Sequence, residues 1–161
     1  MKSLKNVFFT LGVFALIAAG LVLLSRASTT GNEPADAALA VGQANFDFGT
    51  VSMANGPVSR VFTIQNSTDE PMALTKLYTS CMCTIATLLL FEETFGPFGM
   101  PGHGFIPPVD QTLPPGGEAS LEVVFDPAAH GPAGVGVVER TITLETSHGR
   151  QLFTIKAKVT P

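Results

Sequence analysis

The sequence predicts an all-β fold: an immunoglobulin-like antiparallel β-sandwich of about seven strands, preceded by one N-terminal transmembrane or signal helix. Three observations carry this expectation. Short segments alternate apolar and polar residues with period two, clusters of turn-forming residues separate them, and no helical periodicity of useful length lies between them. Without crossover helices, the parallel α/β architectures are disfavoured.

The chain opens on an apolar run over residues 7–24 that carries no charge. Lys2 and Lys5 precede it and Arg26 follows. A spanning helix needs roughly 17 residues or more, whereas the apolar core of a cleaved signal is about 7 to 15 residues long. The run fits an anchor over residues 1–26. Ser25-Arg26-Ala27 leaves signal cleavage, and hence a secreted or periplasmic form, as the alternative. The basic residues ahead of the run keep the N-terminus cytoplasmic and place the rest of the chain outside. The expected location is the cell membrane, single-pass, with an extracytoplasmic C-terminal domain.

Residues 27–43 are rich in Ser, Thr, Gly, Asn, Asp and Ala and show no periodicity, which reads as a flexible linker. The sandwich is then expected over residues 44–161. Its opening strand falls at residues 45–49. Residues 58–66 put Phe62 and Ile64 on one face and Thr63 and Gln65 on the other, and residues 72–78 set Leu74 against Thr75 and Lys76. In residues 119–125, Leu121, Val123 and Phe125 alternate with Glu122 and Val124. Residues 141–145 alternate through Ile142 and Leu144. Residues 151–159 send Phe153, Ile155, Ala157 and Val159 inward against Thr154, Lys156 and Lys158. These are half-buried strands.

Turn signals stand between them at Asn66-Ser67-Thr68-Asp69, Pro114-Pro115-Gly116-Gly117 and Ser147-His148-Gly149. Asn66-Ser67-Thr68 also satisfies the glycosylation pattern, and its place after a strand makes it a turn. Residues 85–112 read as an insertion, apolar at first and then rich in Gly and Pro. Loops of this length are often functional; the alternative is an apolar flap held down by Phe95, Phe98, Phe105 and Ile106.

From Ala27 onward, three Lys and three Arg face all thirteen acidic residues, a net charge of −7. That balance argues against a nucleic-acid partner, which needs a concentrated basic patch. The sequence holds no nucleophile elbow, phosphate-binding Gly-Lys loop or His-Glu-x-x-His zinc motif, so no enzymatic activity is expected. Expected partners are the membrane, through the N-terminal helix, and an unidentified envelope protein.

The chemistry of the chain is concentrated in Ser80-Cys81-Met82-Cys83-Thr84, which holds both cysteines. Three readings stay open. Two thiolates one residue apart can clamp a soft ion, with Met100 and His103 of the insertion adding the thioether and imidazole that suit monovalent copper. Zinc would have to recruit two imidazoles from His103, His130 and His148 to reach four ligands. A strained Cys81–Cys83 disulfide is the second reading, and its ready reduction would permit a redox role. The third leaves the pair as small buried hydrophobes or a local staple.

Several motifs, in order, resemble the bacterial family called domain of unknown function 1573. They are Phe46-Asp47-Phe48-Gly49-Thr50-Val51, the strand ending in Asn66, Ser80-Cys81-Met82-Cys83-Thr84, Leu113-Pro114-Pro115-Gly116-Gly117-Glu118, Val124-Phe125-Asp126-Pro127 and the last two strands. The usual family form of the cysteine segment is Ser-Cys-Gly-Cys-Thr, with Met82 here in place of the Gly. The resemblance spans residues 44–159. It implies an immunoglobulin-like sandwich related in shape to domains of the major-sperm-protein and cilium-associated kind, and it brings no established activity.

Overall fold

A computed structural model describes residues 38–161, and the expected N-terminal helix at residues 1–26 lies outside them. Among the described residues, no helix is long and apolar enough to cross a membrane. Ten strands follow one another: β1 (Leu39–Val41), β2 (Asn45–Ser52), β3 (Val58–Asn66), β4 (Met72–Thr79), β5 (Thr84–Leu90), β6 (Glu93–Phe98), β7 (Gln111–Leu113), β8 (Glu118–Phe125), β9 (Gly136–Thr146) and β10 (Gly149–Thr160). They form two five-stranded sheets, ordered β1-β3-β8-β5-β6 and β2-β10-β9-β4-β7. Every pairing is antiparallel except β2 with β10, which run parallel.

The alternating segments bury the faces their pattern assigned. Phe62 and Ile64 of β3, Leu121 and Val123 of β8, Ile142 and Leu144 of β9, and Phe153 and Ile155 of β10 are all buried. Phe62 and Phe153 meet across the two sheets with ring centroids 5.2 Å apart. Burying a side chain of this size is worth about 1.5–3 kcal/mol. Asn66, also buried, is the hub of its turn: its amide nitrogen donates to the carbonyls of Glu70, Leu113 and Pro114 at 2.8, 3.0 and 3.2 Å. Its side-chain oxygen accepts from the Thr68 backbone N–H at 3.0 Å, so the glycosylation pattern is a structural turn.

Ten strands, rather than about seven, correct the expectation, and the additions have identifiable causes. β1 lies inside the segment read as linker, and with three residues it is too short to display a period. β5 occupies the start of the segment read as an insertion. Its outward residues Ile85 and Leu89 are apolar like its buried Ala86, Leu88 and Leu90, which erases the alternation. β6 contains Gly96 and Pro97, residues that weaken strand propensity, but it is an edge strand where proline is tolerated. Its register with β5 shifts between the pairs Ala86–Phe98 and Leu88–Phe95, so Gly96 and Pro97 fall in the irregular stretch. Apart from the two-residue turn at 91–92, residues 99–110 remain as a loop, returning to the other sheet at β7.

Two connections run from one sheet to the other beside the cysteines. β4 hands over to β5 through residues 80–83, and β8 hands over to β9 through residues 126–135. Their meeting point is the site described next.

A candidate metal centre at the crossover corner

The β4–β5 crossover is held from several sides. The Ser80 backbone N–H donates to the Thr141 carbonyl, and the Thr141 N–H donates to Ser80 Oγ, both at 2.9 Å. The Thr84 N–H donates to the Cys81 carbonyl at 3.1 Å, closing a tight turn around Met82. Buried Thr79 stitches the turn from below, its hydroxyl lying 3.1 Å from the Cys81 carbonyl and 2.8 Å from that of Thr84. Met82 points out to solvent, while Cys83 is buried and Cys81 half-buried.

The β8–β9 crossover reaches the same place. The Asp126 N–H donates to the Cys83 carbonyl at 2.8 Å, tying the two crossovers together. Asp126 Oδ1 then accepts from the Ala128 N–H at 2.8 Å, a local turn of the kind aspartate favours. Gly131 follows with φ +55, a left-handed conformation that glycine adopts without a steric cost. Between these turns stands His130. Gly134 packs behind it so closely that a Cβ there would lie 3.2 Å from the His130 Cβ.

Four side chains converge. The Cys83 thiol donates to Cys81 Sγ at 2.7 Å, and His130 Nε2 lies 3.1 Å from Cys81 Sγ. Arg140, on β9, donates from Nε to Cys83 Sγ at 3.2 Å. The ligand atoms of Cys81, Cys83 and His130 all lie within 4.8 Å of one another.

This setting divides the two thiols. Burial pushes Cys81 up, but hydrogen bonds from the Cys83 thiol, the Cys83 backbone N–H and His130, together with the charge of Arg140, outweigh it and bring it down from 9.0 to about 7. Burial raises Cys83, and its hydrogen bond to Cys81 raises it further, against the opposing pull of Arg140 and Thr84. Cys81 is therefore the readier thiolate of the pair.

The residues marked in the sequence fall into two groups. Cys81 and Cys83 come together as one unit. Met100 and His103 form a small turn of their own, the His103 N–H donating to the Met100 carbonyl at 3.3 Å, with His103 exposed to solvent. The imidazole that joins the cysteines is His130, which the sequence offered only as one of three for zinc. Arg140 escaped the sequence reading altogether, although a signal was present. It stands in the same period-two row of β9 as Val138, Ile142 and Leu144, a charged residue on an inward face.

A family model described as protein of unknown function (DUF1573) matches residues 39–90, from β1 through β5 and including both cysteines. It stops short of His130 and Arg140. No curated protein matches the chain by sequence. Among solved structures, a protein of unknown function from Porphyromonas gingivalis W83 superposes with a TM-score of 0.53 at 17% identity, over 79% of this chain and 51% of that one. VesB protease of Vibrio cholerae superposes with a TM-score of 0.44 at 16% identity, over 78% of this chain and 32% of that one, too loosely to inform the fold. The chain thus spans about half the length of the first protein and a third of the second. The molecule is a two-sheet β-sandwich that carries, over residues 39–90, the match to the DUF1573 family its motifs resemble.

Proposed function

We propose that this chain is a membrane-anchored, extracytoplasmic, immunoglobulin-like domain of the cell envelope whose working site is a soft-metal centre, with Cys81, Cys83 and His130 holding monovalent copper. The observation that supports it is the convergence of two sulfurs and one imidazole nitrogen, drawn from two separate crossovers, within 4.8 Å. Thiolate ligands select monovalent copper, and a three-donor set suits it better than zinc, whose structural sites take four ligands. The sulfurs, now 2.7 Å apart, must part to share an ion, and Cys81 is the one of the two that is only half-buried. The partner that this reading calls for is an envelope protein that delivers or accepts the ion.

A second reading draws on the short sulfur separation itself. Cys81 as thiolate would attack one sulfur of a substrate disulfide and release the other as thiolate. Cys83, losing its proton, would then attack Cys81 Sγ, freeing the substrate as a dithiol and leaving Cys81 and Cys83 oxidised to a disulfide.

One experiment separates the two. The full-length protein in detergent is loaded anaerobically with monovalent copper beside a Cys81→Ser, Cys83→Ser variant, and metal and free thiols are counted. One copper per chain that disappears in the variant is the expected result. No copper, with thiols that react only after reduction, would overturn the metal reading in favour of the dithiol one.

A further inference from the structure

The positive charge of Arg140 is answered by sulfur alone. Its Nε donates to Cys83 Sγ at 3.2 Å and its NH1 group donates to the backbone carbonyl of Glu139 at 2.9 Å. Among the described residues, the ion pairs are made by Lys76, Arg150 and Lys156. The carboxylate nearest in sequence, that of Glu139, is engaged by Lys156 at 2.9 Å. A guanidinium in the inward-facing row of a strand, partly shielded from water and without a carboxylate, needs a negative partner from elsewhere.

The Cys81–Cys83 pair supplies that partner, and the bookkeeping depends on the ion. Two thiolates and a neutral imidazole around a monovalent ion carry a net charge of −1, which Arg140 cancels. The same ligands around a divalent ion are already neutral, so Arg140 leaves an excess positive charge beside a dication. Coulombic terms between unit charges a few ångströms apart are large enough in a half-buried setting to decide between ions. The N–H···S bond also fixes Cys83 Sγ, in the way outer hydrogen bonds orient and tune metal ligands.

Resting on the copper reading above, we infer that Arg140 is the specificity-determining residue of the centre, tuning it for a monovalent soft ion over a divalent one by charge matching. It touches a ligand rather than the ion, so it acts through Cys83.

The test is an anaerobic competition for the full-length protein between monovalent copper and zinc, each buffered by a chelator, run on the wild type, Arg140→Gln and Arg140→Lys. Folding of each variant is checked by circular dichroism. The readout is the ratio of the two affinities, which a general loosening of the site would leave in place. Arg140→Gln is expected to shift that ratio toward zinc by about tenfold or more, and Arg140→Lys, which restores the charge, to recover most of the shift. An unchanged ratio in a folded Arg140→Gln protein would overturn the inference while leaving the copper centre standing, and so would a shift that lysine fails to rescue. A wild-type protein that takes up neither ion would overturn the copper reading and this inference together.

Discussion

The crossover corner and the Gly- and Pro-rich loop at residues 99–110 both hold residues that soft metals favour, yet the fold treats them in opposite ways. At the corner, the Ser80 N–H and the carbonyls of Cys81 and Cys83 are all held by hydrogen bonds, and two chain segments far apart in sequence deliver donors to one point. The loop is tied to β4 at its two ends, by the Thr79 N–H to the Gly99 carbonyl and the Val109 N–H to the Thr75 carbonyl, but between them the His103 N–H donates to the Met100 carbonyl and Phe105 is 89% exposed. The ligands gather where two sheet-to-sheet connections meet, joined by the bond from the Asp126 N–H to the Cys83 carbonyl. The sequence offers Met100 and His103 of the nearer loop as partners of the cysteines, and the imidazole nitrogen found 3.1 Å from Cys81 Sγ is that of His130.

The contrast continues within the stretch read as one insertion. Phe98 ends β6 and is 1% exposed, whereas Phe105, seven residues on, faces solvent. Replacing Phe98 by Ala is expected to cost about 3–5 kcal/mol in a denaturant titration, and the same change at Phe105 less than about 0.5 kcal/mol. Equal costs would erase the boundary between sheet and loop.

A smaller effect sharpens the comparison through pH. In the metal-free, reduced protein, Cys81 ionises near 7, well below its ordinary value of 9.0, while Cys83 is raised. Alkylation by iodoacetamide, followed by peptide mapping, is expected to modify Cys81 with a pH midpoint near 7 and to leave Cys83 largely protected there. The sign for stability follows. The depressed Cys81 contributes stability that is present above 9 and fades as pH falls through about 7. The raised Cys83 works the other way, its contribution being lost as pH climbs past its ordinary range. Identical alkylation profiles for the two thiols would remove the asymmetry of the corner.

Much of the sandwich was legible because one-sided burial writes itself as alternation, as in Phe153, Ile155, Ala157 and Val159 of β10. Strands were missed where that rule lapses: in β5, apolar on both faces, in β6, interrupted by Gly96 and Pro97, and in the three-residue β1 and β7. The cysteines were legible as chemistry, since thiols two positions apart stand out in any chain. Arg140 was not, and His130 stood only as one of three imidazoles, because their approach depends on strand order: β9 lies beside β4 in one sheet, and β8 lies beside β5 in the other. Only that double adjacency brings the second crossover onto the first. The inward position of Arg140 was the one local clue.

The most direct measurement is copper K-edge X-ray absorption on the copper-loaded protein, comparing the wild type with His130→Ala and His103→Ala. Two sulfur ligands and one imidazole nitrogen are expected in the wild type, with the nitrogen lost in His130→Ala and kept in His103→Ala. Loss of the nitrogen in His103→Ala instead, or a sulfur-only signal that neither substitution changes, would contradict the centre at the crossover corner.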